Sequence, residues 1–207
     1  MALYAQIEPS MKKIGQQKIL LAVLVSSFLF LSSYVHYAIY TSWESNFFRS
    51  FYDMPLAWKN TMLIISMSAS VWMVILVIAC LYTRQKIKLA RFMAGLALVT
   101  FGITELLKIL IARPRPYIGL NSVISRGGTV AGMGFPSGHT TIATVIGLSL
   151  SFLLPKNIRW LVFVWIGMVG VSRMYLGVHA PLDIVGGVML GTIIVLIAKI
   201  TRPKYFA

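Results

Sequence analysis

The sequence predicts an all-α integral membrane protein: one domain over residues 1–207, built as a bundle of six membrane-spanning helices. Three observations predict it. Hydrophobic residues make up 58% of the chain and charged residues only 12%, with a mean hydropathy of +0.82. Several apolar runs approach the ~20 residues needed to cross a bilayer's hydrocarbon core. Lys and Arg fall unevenly on the alternate loops that join those runs, as in chains threaded several times through a membrane. A soluble domain of this length has too little interior to bury so many apolar segments.

The first span, 19–39, follows Lys12, Lys13 and Lys18. It is long for a signal-peptide core and its Ser-Ser-Tyr-Val-His-Tyr stretch is a poor cleavage sequence, so a retained signal anchor is expected. Residues 43–60 mix Trp43, Phe47, Phe48, Phe51, Tyr52 and Trp58 with Glu44, Arg49, Asp53 and Lys59. That mixture suits either a short helix lying in the membrane interface or a loop anchored by its aromatics. The second and third spans are 61–81 and 91–110. Residues 117–135 carry Gly119, Gly127, Gly128, Gly132 and Gly134 and read as a flexible loop placed to cover a site. The fourth span, 137–154, stops before Pro155; the fifth is 158–175 and the sixth 183–200. Polar residues at the ends of spans four and five depress their windowed hydropathy. Gly147, Gly167, Gly170, Gly186, Gly187 and Gly191 permit close helix approach, Gly187 and Gly191 on one face.

The loop charges orient the bundle. The first side holds twelve Lys and Arg residues and the other holds seven, namely Arg49, Lys59, Lys108, Arg113, Arg115, Arg126 and Arg173. The positive-inside bias places both termini in the cytoplasm. The formal net charge of +14 then matches anionic lipid rather than nucleic acid, since no basic arm or nucleic-acid motif is present. Cys80 stands alone in an apolar run and forms no intrachain disulfide.

Three polar clusters interrupt the apolar chain, and this topology gathers all of them at the outer face. Charge beside hydrocarbon is costly unless it is paired, wetted or used. Thr104, Glu105, Lys108, Arg115 and Pro116 form the first. Pro114 and Pro116 limit helix continuation around Arg115, a rigid donor fork suited to phosphate oxygens, while Lys108 is a mobile point charge. Glu105, one turn before Lys108, is expected to pair with it. The second, Pro136-Ser137-Gly138-His139, opens an apolar run. Free amides at a helix start form an anion site, and Ser137 can add its hydroxyl. The third holds Ser172, Arg173, His179 and Asp183. If helical, His179 and Asp183 share a face, and a carboxylate on one imidazole nitrogen leaves the other free to attack. Two histidines and two carboxylates could in principle hold a metal, but Lys108, Arg115 and Arg173 would repel a cation there, so no metal or other cofactor is expected. His36 lies far away with no obvious partner.

The clusters closely resemble the three-part signature of the type 2 phosphatidic acid phosphatase (PAP2) family of membrane-bound lipid phosphatases. Lys108 with Arg115-Pro116 matches its first part, Pro136 to His139 the second, and Ser172-Arg173 with His179 and Asp183 the third. The resemblance implies His179 as nucleophile forming a phosphohistidine, Asp183 orienting it, and His139 as general acid. It implies that Lys108, Arg115, Ser137, the Gly138 amide and Arg173 hold the phosphoryl group, without a metal. It implies a lipid phosphate substrate in the outer leaflet, with polyprenyl pyrophosphate or phosphatidylglycerophosphate favoured over phosphatidate and lipid A phosphates. The small size and charge pattern suggest a multi-pass protein of a bacterial or archaeal cytoplasmic membrane. Phosphoryl transfer to another lipid, or transport of a phosphorylated lipid without cleavage, is the competing expectation. Transporters usually carry internal repeats or broken midplane helices, and neither is evident here.

Overall fold

The computed structural model describes residues 2–128 and 131–206, with side chains from Ile14 onward. Its helices are α1 (Ala2–Tyr37), α2 (Ser42–Tyr52), α3 (Lys59–Met67), α4 (Val71–Thr83) and α5 (Ile87–Ile111). They continue with α6 (Pro116–Gly119), α7 (Gly138–Leu150), α8 (Leu161–Tyr175) and α9 (Pro181–Thr201). No strand occurs among the described residues. Four segments are long and apolar enough to cross a membrane: Ile14–Tyr37, Ile87–Gly119, Lys156–Tyr175 and Pro181–Thr201. A fifth is reached if α3 and α4 are taken together.

The expected second span, 61–81, is not one helix. Leu56–Met67 and Val71–Thr83 meet at 47°. The break has a local cause in Ser68 and Ser70. Ser68 Oγ donates to the Ile65 carbonyl at 2.6 Å, and Ser70 leaves the helical region with φ −85° and ψ 171°. Serine hydroxyls compete in this way with the backbone ladder. Trp165 Nε1 on α8 donates to Ser68 Oγ at 2.8 Å, and Ala69 is fully buried against Ala143, Val162, Ile166 and Val169. The bend is therefore packed into the bundle.

The expected fourth span is shorter than 137–154. α7 has 13 residues and passes into a 3₁₀ turn, Ser151–Leu153. At 1.5 Å per residue the α-helical part is roughly 20 Å long, short of the ~30 Å core. Eight of its residues are buried, however, because α5, α8 and α9 surround it. A helix clothed by protein needs neither the length nor the composition of one facing lipid. The outward residues of the other helices are apolar instead: Phe30, Trp72, Leu98 and Ile109 are each about three-quarters exposed.

α7 and α9 form the most extensive helix pair. Two glycines make it possible. A Cβ on Gly187 would stand 2.8 Å from the Ser137 carbonyl oxygen, and one on Gly191 would stand 2.6 Å from Thr144 Cβ. Gly147 meets Val162 and Gly170 meets Ile184 in the same manner, whereas Gly167 meets nothing within 4 Å.

The aromatic segment after α1 forms a helix rather than a loop, and it is two-faced. Glu44, Phe48 and Tyr52, spaced four apart on α2, are buried, while Trp43 and Phe47 are exposed. The glycine-rich stretch is anchored more firmly than a flexible loop. Val123 is buried, and the Arg126 guanidinium lies between the rings of Tyr52 and Tyr175, at 4.1 and 4.6 Å. The part of that stretch at 129–130 lies outside the described residues. His36 does have a partner: its Nδ1 donates to the Ile111 carbonyl at 2.9 Å.

Gly191→Val should destabilise the protein by about 1–3 kcal/mol, the usual penalty for overpacking a core. Gly167→Ala should leave the melting temperature unchanged or raise it slightly, because it fills open space and improves helix propensity. Thermal unfolding in detergent measures both.

Candidate active site

Four helix ends meet at one end of the bundle, and each delivers part of the predicted set. α5 stops at Ala112, whose φ of 51° is left-handed and whose amide donates to the Lys108 carbonyl. Lys108 therefore lies in the last turn. Its Nζ pairs with Glu105 at 2.6 Å, as expected, and lies 3.7 Å from where a Gly138 Cβ would be. The first and second clusters thus touch, and Gly138 lets them.

Arg115 follows in extended backbone between two prolines and is 1% exposed. Its Nε donates to Gly132 O at 2.9 Å and its Nη2 to Ala131 O at 3.1 Å. Nη1 donates to Val178 O at 3.1 Å and faces His179 Nε2 at 3.2 Å. One guanidinium thereby joins the glycine-rich loop to the third cluster.

Ser137 is fully buried at the N-cap of α7, yet its side chain makes no capping bond. Its Oγ accepts from Thr140 Oγ1 at 3.0 Å, and its amide donates to the Asp183 carbonyl at 2.9 Å. The amides of Gly138, His139 and Thr140 precede the first intrahelical bond, from Thr141 N–H to Ser137 O. Amides at such a helix start have no intrahelical partner. His139 is half-buried there, within electrostatic range of Arg173, His179, Lys108 and Arg115.

Arg173 closes α8 with 6% exposure, and its Nη1 donates to Ser66 Oγ at 2.6 Å. Its Nε has no hydrogen-bond partner, and it belongs to no ion pair among the described residues. Gly177, with φ +76°, then turns the chain; a Cβ there would stand 2.5 Å from Ile124 O.

His179 and Asp183 meet for a different reason than a shared helical face. His179 lies in the turn before α9, and Pro181 begins the helix rather than breaking it. Asp183 is the third residue of α9 and folds back to accept from the Ala180 amide, Oδ2 at 2.8 Å. The same oxygen lies 3.5 Å from His179 Nδ1, which has no partner in regular hydrogen-bond geometry. A guanidinium can only donate, so the Arg115 contact requires an unprotonated Nε2 and places the ring proton on Nδ1, facing Asp183. Burial pushes the His179 imidazole well below its ordinary pKa, and the charges of Arg115, Arg173 and Lys108 push the same way. The neutral ring is the form the site favours.

Three partners were not anticipated. By sequence Arg113 reads as a loop cation and Glu44 as part of an interfacial segment. Both are fully buried and bonded: Arg113 Nη1 reaches Asp183 Oδ1 at 2.7 Å, and Nη2 reaches Glu44 Oε2 at 2.5 Å. Glu44 Oε1 also accepts from the Leu182 amide at 3.1 Å. Ser66, the partner of Arg173, lies in the alternating serines before the α3–α4 break. One clue was available for Glu44: the chain has only five acidic residues, and this one stands among aromatics. Among the described residues, no three His, Cys, Asp or Glu side chains gather as a metal site.

Buried cations thus surround a helix N-terminus, and one of them, Arg115, faces His179 Nε2. The chain belongs to the PAP2 superfamily, matched over residues 88–206. It is 36% identical over 118 residues to the bacitracin transport permease protein BcrC of Bacillus licheniformis, covering 55% of this chain and 58% of that protein. It is 28% identical over 123 residues to an undecaprenyl-diphosphatase of Sulfolobus acidocaldarius, covering 59% of each. The chain thus spans less than two thirds of the length of these curated relatives. Its fold is that of a transmembrane PAP2 type phosphatidylglycerolphosphate phosphatase from Bacillus subtilis, with a TM-score of 0.76 at 22% identity over 89% of this chain and 96% of that one.

Arg115→Ala should weaken binding of inorganic phosphate by about 10- to 100-fold, the loss expected when a charge-assisted contact of ~1.5–3 kcal/mol disappears. Lys156→Ala, at the opposite end of the bundle, should leave it unchanged. Isothermal titration in detergent distinguishes the two.

Proposed function

We propose that this protein is a membrane lipid phosphatase that hydrolyses the terminal phosphate of a lipid phosphate or pyrophosphate through a phosphohistidine. The observation that carries the proposal is the arrangement of His179: Nδ1–H faces Asp183, and Nε2 faces Arg115, with Arg173 and Lys108 close enough to act on the ring electrostatically. A protein that only binds or transports a phosphorylated lipid has no need of that tautomer.

His179 Nε2 attacks phosphorus, and the bond from phosphorus to the leaving oxygen breaks. His139 supplies the proton that the leaving oxygen takes. Its neighbours are cationic, so the negative charge of the bound phosphate is what lets it carry that proton. Water then attacks the phosphohistidine, gives a proton to His139 and releases phosphate with His179 restored. Lys108, Arg115 and Arg173, with Ser137 and the Gly138 amide, hold the phosphoryl oxygens. Positioning and charge stabilisation are most of what this chemistry requires. The names of the relatives support a polyprenyl pyrophosphate or phosphatidylglycerophosphate as substrate.

In the membrane, the α3–α4 pair serves as one bent crossing and α7 as a short one, which brings the crossings to six. Both termini are cytoplasmic, and the site opens to the outer face of a bacterial cytoplasmic membrane. The support is the excess of Lys and Arg on the loops at the opposite end.

Purified protein should release phosphate from a lipid pyrophosphate with EDTA present, and His179→Ala should abolish both turnover and any acid-labile phosphoenzyme. Metal dependence, or a phosphoenzyme that survives the substitution, would sink the reading. A reporter fused after Ala207 should be active only as a cytoplasmic fusion; an extracytoplasmic signal would reverse the topology.

A further inference from the structure

The Asp183 carboxylate is held from behind as well as from the front. Oδ2 serves the Ala180 amide and faces His179, while Oδ1 is bound by Arg113 at 2.7 Å. The second prong of Arg113 is taken by Glu44, at 2.5 Å. Glu44's other oxygen accepts from the amide of Leu182, the residue before Asp183. The side chains of Glu44, Arg113 and Asp183 are all solvent-inaccessible, and Arg113 also stacks over the Tyr40 ring at 4.7 Å. A Cβ on Gly134 would stand 3.0 Å from Asp183 Oδ2, so this side of the carboxylate is walled by backbone.

The charges in this chain matter as much as the contacts. Arg113 alone opposite Asp183 would make a neutral pair, with little negative potential left for the imidazole. Glu44 gives the guanidinium a second carboxylate. The trio carries one net negative charge, and that charge faces His179. We propose that Glu44 and Arg113 are positioning residues of the reaction, which fix the orientation of Asp183 and set the negative charge it presents to His179. The proposal rests on the phosphohistidine reading above. It assigns a function to α2, a helix outside the matched residues 88–206.

The groups facing His179 set the direction of the expected pH effect. Lys108 and Arg115 approach from α5 and the segment after it, Arg173 from α8, His139 from α7 and Asp183 from α9. Asp183 in turn faces Arg113, Arg115 and Tyr40. Removing the Glu44 charge leaves Arg113 to neutralise Asp183, so protonated His179 loses support and its apparent pKa falls. Removing the Arg113 charge leaves two carboxylates, and the apparent pKa rises.

The test compares Glu44→Gln and Arg113→Gln with the unaltered protein, using a lipid pyrophosphate in detergent micelles. Each variant should lose kcat by about 10- to 100-fold, as when the groups that orient a reactive histidine's partner are removed. KM and inorganic phosphate binding should stay within about twofold, because Lys108, Arg115 and Arg173 remain. The acid limb of kcat/KM should move to lower pH for Glu44→Gln and to higher pH for Arg113→Gln. If Arg113→Gln does not fold, Arg113→Lys replaces it. That variant keeps the charge but reaches only one carboxylate, so kcat should fall with the acid limb in place. Wild-type kcat and pH profile in the variants would overturn the proposal, as would acid limbs that move in the same direction. If the unaltered protein cleaves no lipid phosphate at all, the phosphatase reading fails instead.

Discussion

The bundle is organised around buried positive charge that its own carboxylates do not neutralise. Lys108 has Glu105, but Arg115 is surrounded by carbonyls and an imidazole, and Arg173 by a serine hydroxyl. Placing such groups away from water costs several kcal/mol each unless something compensates them. The buried carboxylates Asp183 and Glu44 are both committed to Arg113. Charge is thus sorted into a closed acidic trio and an open cluster of cations. Under the proposed function, a phosphoryl dianion is the counter-ion that this open cluster lacks.

This constraint accounts for α7. Under the proposed function its first turn presents free amides to the phosphoryl group, which a helix starting at the membrane surface with its amides hydrated would not do. It begins instead inside the bundle, buried against α9 through Gly187 and Gly191. The result is a helix of 13 residues that is too short and too polar at its start to read as a normal crossing. The shortness of α7 and the burial of its first turn have the same origin.

The conspicuous half of the site could be read from the sequence because its geometry is local. Lys108 and Arg115 sit on either side of a helix end marked by prolines, Ser137 and Gly138 open a helix, and His179 stands four residues before Asp183. Spacing along the chain carries that information. Glu44, Arg113 and Ser66 could not be read, because their partners are 69, 70 and 107 residues away. Arg113 counted as a loop cation like any other, and its burial depends on a carboxylate from α2 that nothing in the spacing indicates. The α3–α4 break escaped for a similar reason. Hydropathy averages over Ser66, Ser68 and Ser70, whose effect depends on Trp165 and Arg173 of another helix.

α2 connects these two kinds of information. Its pattern, with Glu44, Phe48 and Tyr52 inward and Trp43 and Phe47 outward, reads as interfacial from either side. An ordinary interfacial helix would bury only apolar residues, yet this one buries a carboxylate at its first turn. Glu44 is satisfied by two partners, the Arg113 guanidinium and the Leu182 amide, and these belong to the exit of α5 and the start of α9. Withdrawing α2 would leave Arg113 with one carboxylate and Leu182 with an unpaired buried amide. The interface helix and the Asp183 carboxylate are therefore held by one set of bonds, and neither can shift without exposing a charge to hydrocarbon.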